Sequence, residues 1–328
     1  MSKWLPLVEY KRNDISECVI HGAVSWVSGK DIIYSYSDNI VCYARSLMKP
    51  IMLKVFAKDL ETELNWQQKA ISIASHNGTP EHLAVMKSIL NKSELNLLKT
   101  PPALPLMQSD KLIKKPSKYY HSCSGEHAAI LRACKLRGWS TDNYTDPDHP
   151  LNIAYFKLLK NYLGENWSPQ VIAKDGCGLP TVAMSISELA TIFSYLCKEK
   201  NDDWIWQAMV KNPQLIGGLN RLDTNILEAC NGQVIAKEGA DGLLALSILH
   251  PDYPEGLGIL IKIAHGWDSQ ATWYVARNIL GVLGFKLKSP KPLEKQRAFV
   301  SEEIIPADLR KNLKNIPEDY YDLCSDRW

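Results

Sequence analysis

The chain has 328 residues, with 38 basic and 36 acidic ones, a formal net charge of +2 and 45% hydrophobic residues. These are globular values, without the clustered basic excess that nucleic-acid binding requires. Charged residues from Lys3 to Asp14 interrupt the stretch where an export signal needs an apolar core, and no run of about 18 apolar residues offers a membrane span. With eight cysteines at irregular intervals, the expectation is reduced thiols, a cytoplasmic location and no membrane partner.

In chain order, residues 16–28 are β-branched and roughly alternating. Ser28-Gly29-Lys30-Asp31 then supplies turn chemistry before residues 32–37, which predicts a β-hairpin. From Ser46 to about Leu60 apolar residues recur at helical spacing, and Pro50 falls in the first turn, where no intrahelical donor is lost. Thr79 with Pro80 opens a helix to about Asn91. Lys111, Lys114, Lys115 and Lys118 form the densest basic run and read as a solvated loop. Ser124 is the expected cap of a helix ending at Gly138, another helix follows Asp148 to about Leu163, and Ser185 with Glu188 forms a capping box for residues 186–198. Strands return at 233–237, 243–249 and 256–264, with a last helix from about Asp268 to Leu283. The charged, proline-containing stretch 285–328 is expected to wrap the surface.

Strands at both ends with helices between them predict a mixed α/β (α+β) fold. Its sheet is largely antiparallel, since hairpins lack the crossover helices that a parallel sheet needs. The predicted organisation is one catalytic unit: residues 1–60 with 225–328 as a discontinuous sheet part, 61–224 as a mostly helical part, and the site between them.

Arg45-Ser46-Leu47-Met48-Lys49-Pro50 sets a hydroxyl and an amine three residues apart at a helix start, so the two share a face. A serine becomes a nucleophile when a base takes its proton, and a lysine is such a base once burial or neighbouring positive charge lowers its pKa. A helix start with a solvated lysine fits the same six residues. Three further segments carry small, polar and reactive residues at element boundaries: Ala74-Ser75-His76-Asn77-Gly78-Thr79-Pro80, Ser122-Cys123-Ser124-Gly125-Glu126-His127 and Asp175-Gly176-Cys177-Gly178-Leu179-Pro180. In a fifth, residues 256–263, Lys262 stands alone in an apolar strand. There it must snorkel, pair or lose its charge, and an amine held near Lys49 would depress both pKa values. Cys123 and Cys177 head matching loops and could together hold a zinc ion, with Glu126, His121 or His127 adding a ligand.

These segments, in this order and together with Asp146-Pro147-Asp148-His149-Pro150, resemble the asparaginase II family of thermolabile, inducible-type L-asparaginases. Its members show Arg-Ser-x-x-Lys-Pro, Ala-Ser-His-x-Gly-x-Pro, Asn-Cys-Ser-Gly-Lys-His, Asp-Pro-x-His-Pro, Asp-Gly-Cys-Gly-x-Pro and a late apolar strand with lysine. The resemblance implies a fold akin to serine β-lactamases and glutaminases, a homodimer, and hydrolysis of L-asparagine to L-aspartate and ammonia by two serine–lysine pairs. By position these are Ser46 with Lys49 and Ser75 with Lys262. It also implies zinc near the site, held by the two loop cysteines and the motif lysine. Here Glu126 replaces that lysine and Ser122 the preceding asparagine. The expected metal ligands are therefore Cys123, Cys177 and Glu126, with an empty site as the alternative, and no organic cofactor is expected.

The implied chemistry is acyl transfer, with Ser46 attacking the side-chain amide and Ser75 relaying protons, though Ser75 as nucleophile stays open. A zwitterionic amino-acid amide needs a cation and an anion for its own charges, and Arg45, Asp175 and Asp223 are the candidates. The alternatives are a glutaminase, a catalytically inactive metal-binding or regulatory relative, and a penicillin-recognising enzyme. Against the last, the segment after Lys262 lacks a Lys-Thr/Ser-Gly arrangement.

Overall fold

The computed structural model describes residues 3–37, 40–106, 115–288 and 297–316. Lys111 and Lys114 of the basic run lie outside them, as does the end of the charged tail. The N-terminal strands are β1 (Leu5–Arg12), β2 (Ile15–Ser28), β3 (Asp31–Tyr36) and β4 (Val41–Tyr43). A 3-10 turn, Arg45–Met48, leads into α1 (Lys49–Lys54), α2 (Ala57–Leu60), α3 (Trp66–Ile73), α4 (Pro80–Lys87), α5 (Ser124–Leu136) and α6 (Pro150–Leu163). Next come β5 (Ile172–Lys174), β6 (Pro180–Ser185), α7 (Ile186–Lys198), α8 (Ile205–Lys211), α9 (Pro213–Ile216) and α10 (Leu222–Ala229). The chain closes with β7 (Val234–Gly239), β8 (Leu243–His250), β9 (Tyr253–Ile263), α11 (Ser269–Val282) and β10 (Arg297–Val300).

The fold is mixed α/β. Seven strands from both ends of the chain form one antiparallel sheet in the order β10-β1-β2-β9-β8-β7, with β3 also on β2. Alternation sorts its side chains: Val24, Trp26, Leu244, Leu246, Ile259 and Ile261 face α11 and the C-terminal stretch, while Ala23, Val27, Ala245 and Leu260 face the helical middle. Period-two geometry therefore also turns Lys237 and Lys262 toward the helical middle. Among the described residues no helix is long and apolar enough to cross a membrane.

Local chemistry accounts for most boundaries. The Ser185–Glu188 capping box opens α7, Thr79 caps α4, and Asp268 caps α11. His149, from the Asp-Pro-x-His-Pro motif, caps α6 by accepting the Leu151 N–H. Three expectations change. Residues 46–60 form the 3-10 turn, α1 and α2 rather than one helix, because the N–H groups of Val55 and Phe56 turn to the i−3 carbonyls of Met52 and Leu53. Ser124 is the first helical residue and Cys123 precedes it, with the Ser124 hydroxyl turned to the Tyr119 carbonyl. A second, three-stranded sheet, β4-β6-β5, lies largely within the stretch expected to be helical. Part of the tail joins the fold, since β10 pairs with β1 and Ile304 and Ile305 are buried against the sheet.

Helix α7 lies on β9 so closely that a Cβ at Gly258 would stand 1.9 Å from the Ala190 carbonyl oxygen and 2.4 Å from the Ser194 nitrogen. Backbone cannot yield as a side-chain tip can. Gly258→Ala is expected to cost about 3 kcal/mol of stability, read as a lower denaturant midpoint; an unchanged midpoint would contradict this seating of α7.

Candidate active site

The first wall of the site is the turn before α1. Ala44 N–H bonds to the Val182 carbonyl at 2.9 Å and Arg45 N–H to Thr181 Oγ1 at 3.0 Å, which ties the turn to β6. These contacts hold Arg45 in a left-handed conformation, φ 50°, at a cost of about 1–2 kcal/mol for a residue with a Cβ. Ser46 follows in the first turn, where N–H groups lack intrahelical acceptors. Lys49, three residues on, is 3% exposed. Both line one cleft with Arg45, Glu126, Asp175 and Cys177.

The Lys49 amine is turned to the Ala74 carbonyl, at 2.5 Å, and lies 3.6 Å from Glu126 Oε2. Burial pulls its pKa down, but the charges of Cys123, Glu126 and Cys177 outweigh burial and the net shift is upward. That corrects the expectation of a depressed Lys49. Glu126 sits in the first turn of α5, whose Gly125 lies so close to α3 that a Cβ would stand 2.1 Å from the Ile71 carbonyl oxygen. Burial raises the Glu126 carboxyl to about 8 in spite of Lys49.

The second wall is residues 74–79, extended and stitched on both sides. Ser75 N–H bonds to the Ile216 carbonyl and Asn77 N–H to that of Gly217, both at 2.9 Å, and His76 N–H bonds to the Ser122 carbonyl at 3.2 Å. Arg221 Nη1 donates to the Ser75 carbonyl at 2.8 Å. The Ser75 hydroxyl meets an amine, and it belongs to Lys237 on β7, with Nζ 3.0 Å from Oγ. Lys237 is fully buried, and burial lowers its pKa to about 8 despite the nearby Asp223.

Lys262 stands elsewhere, which corrects the pairing with Ser75. Its amine donates to the backbone carbonyls of Asp241, at 2.5 Å, and Ile263, at 2.8 Å. It thus braces the turn between β7 and β8, with its pKa lowered by burial. The reason is sheet order: Lys237 is on the edge strand β7, beside the helical part, whereas β9 lies two strands further in. Locally the two are alike. Lys237 too stands alone in an apolar strand, Val234-Ile235-Ala236-Lys237, and the Glu238-Gly239 that follows gives a Lys-x-Gly close to the arrangement found missing at Lys262.

Arg45 is already engaged by Asp175, Nε to Oδ1 at 2.5 Å, and by Asp241. Asp223, a candidate for binding substrate, has no exposed surface and bonds instead to Lys237, at 3.4 Å, and to the Thr224 N–H, at 2.9 Å. The neighbouring Cys177 thiol, followed by Lys49 and His121, holds Cys123 well below the usual thiol range, and the same pairing pushes Cys177 up. Glu126 faces Lys49, His121 Nδ1 accepts the Cys123 N–H, and His127 Nδ1 meets the Tyr144 hydroxyl. Among the described residues no three His, Cys, Asp or Glu side chains stand so as to hold a metal ion. Cys123 and Cys177 are the donors that remain side by side, and no step of the chemistry is routed through a metal.

The antiparallel sheet thus brings two serines, Ser46 and Ser75, and two buried lysines, Lys49 and Lys237, to its junction with the helical layer. The sequence matches the family model for L-asparaginase II over residues 8–310. The chain belongs to that family, which makes it an asparaginase-like amidohydrolase. No curated protein matches it.

Because Glu126 keeps its proton in the fold up to about pH 8 while an unfolded glutamate ionises near pH 4.3, the native state binds the extra proton between these values. Stability should fall as pH rises through this window. Glu126→Gln is expected to flatten that slope in unfolding midpoints measured from pH 5 to pH 8, and an unaltered slope would reject the assignment.

Proposed function

We propose that this chain hydrolyses L-asparagine to L-aspartate and ammonia through an acyl-enzyme on Ser46, with Ser75 and Lys237 moving the protons. The observation that carries the reading is the Lys237 amine, buried and 3.0 Å from the Ser75 hydroxyl. With a pKa of about 8, it is neutral in about one molecule in ten at pH 7, against about one in 2,500 for an ordinary lysine. Lys49, raised chiefly by the Cys123 thiolate, is an ammonium at that pH and serves as a fixed positive charge beside the reacting group.

In the first half-reaction the Ser46 oxygen adds to the side-chain amide carbon, and its proton passes by way of the Ser75 hydroxyl to Lys237. The carbon–nitrogen bond then breaks, the nitrogen takes a proton back, and ammonia leaves. Water adds to the resulting ester by the same path in reverse, and aspartate leaves with Ser46 restored. The Ser46 N–H and the N–H groups at the end of β7 are the natural donors to the developing oxyanion. Arg45 and Asp175, which line the cleft and pair with each other, suit the substrate's carboxylate and ammonium once that ion pair opens to admit them. Glutamine differs by one methylene, which an apolar pocket resolves by only about 1–3 kcal/mol, so weaker glutaminase activity accompanies the main one.

Ammonia release assayed on both amides tests the reading. Asparagine is expected to be the better substrate, with Ser46→Ala, Ser75→Ala and Lys237→Met each losing about a hundredfold or more and Lys262→Met less than about tenfold. Folded protein that released ammonia from neither amide would refute it. Since the base works unprotonated, kcat/KM should fall as pH drops below about 8; a profile flat from pH 6 to pH 9 would remove Lys237 from the role.

A further inference from the structure

The segment from Ile216 to Thr224 belongs to none of the motifs that identify the family, yet it touches both halves of the Ser75–Lys237 pair. Its Ile216 and Gly217 carbonyls accept the N–H groups of Ser75 and Asn77, both at 2.9 Å. Its Arg221 holds the Ser75 carbonyl at 2.8 Å and the Asn77 side-chain oxygen at 3.3 Å. Asp223 closes the cradle. Its Oδ2 lies 3.4 Å from Lys237 Nζ, whose other contacts are Ser75 Oγ at 3.0 Å and the Glu238 carbonyl at 2.9 Å.

The carboxylate is itself over-determined. Oδ1 accepts the Thr224 N–H at 2.9 Å, and Oδ2 faces the Glu238 N–H at 3.5 Å. Gly217 leaves the room it needs, since a Cβ there would stand 2.4 Å from Asp223 Oδ1. Arg221 is joined to Glu238 at 3.0 Å. Two cations and two carboxyls thus share one cluster, with Lys237 and Asp223 buried and Arg221 and Glu238 half-buried, and removing one of the buried partners leaves an uncompensated charge.

We infer that Asp223 is a positioning residue: its carboxylate holds the Lys237 amine on the Ser75 hydroxyl and stabilises the ammonium that forms when the proton arrives. The inference rests on the reading that Lys237 serves the hydrolysis. The charged groups facing this amine are Asp223 and Arg221 from the cradle, Glu238 on its own strand, and Lys49 and Glu126 farther off. A buried anion at 3.4 Å favours the ammonium. Its loss therefore leaves the amine easier to deprotonate and worse placed.

Asp223→Asn and Asp223→Glu, checked for folding by thermal unfolding, are compared with the natural chain in kcat and KM for asparagine across pH. In Asp223→Asn the acid limb of kcat/KM is expected to move to lower pH by about one unit, with kcat reduced about tenfold or more and KM changed far less. A limb that stays in place while activity drops would mark Asp223 as structural only and overturn the inference. Asp223→Glu keeps the charge but displaces it, so its limb should stay within a few tenths of a unit while kcat still falls about tenfold; unreduced kcat there would overturn the inference even if the asparagine variant failed to fold. Lys237→Met separates the two levels: full activity in that variant would refute the proton path itself, whereas its inactivity beside an unmoved Asp223→Asn limb would refute the role of Asp223 alone.

Discussion

A lysine with no exposed surface at the edge of an apolar sheet is the constraint around which the site is built. Lys237 cannot be hydrated where it stands, so its charge must be compensated by protein groups or given up. The fold does some of each. Asp223 and the Glu238 carbonyl are close enough to hold an ammonium, while burial brings the amine into a range where it sheds its proton near neutral pH. Ser75 lies against that amine because residues 74–79 are pinned between the Ser122 carbonyl on one side and those of Ile216 and Gly217 on the other.

The two lysines at the site, Lys49 on α1 and Lys237 on β7, differ in environment, and the difference divides their work. Lys49 is surrounded by groups that are or can become anionic, Cys123, Cys177 and Glu126, and is held as a cation. Lys237 has one close carboxylate in a drier place and is the amine that can accept a proton. Glu126 is central to the division. As the replacement for a lysine in the motif, it faces Lys49 rather than joining the two thiols, so one substitution alters both the electrostatics around Lys49 and the donor set near Cys123.

Much of the fold was legible because it rests on local rules. The hairpin at residues 15–36, the Ser185–Glu188 capping box and the Thr79 and Asp268 caps all follow from alternation, turn chemistry or a side chain reaching its own backbone. The antiparallel sheet from both ends follows from strands without crossover helices. The small sheet β4-β6-β5 was not legible: its strands are short, and each makes sense only against a partner far away in sequence. Strand β1 was missed because charged residues break its alternation, although β2 and β10 flank it on both sides.

The site divides in the same way. By itself the sequence determined which loops carry chemistry and that Ser46 and Lys49 share a turn, since spacing fixes these within one element; that a lysine on an apolar strand pairs with the second serine was implied by the family resemblance. Only the tertiary structure decided which lysine it was. Lys237 and Lys262 have similar local sequences and the same facing, and the order of strands across the sheet, set by long-range pairing, brings β7 and not β9 to Ser75. The same holds for Asp223. Nothing near it in sequence distinguishes a carboxylate open to substrate from one sealed against a lysine fourteen residues on; burial is a property of the packed molecule.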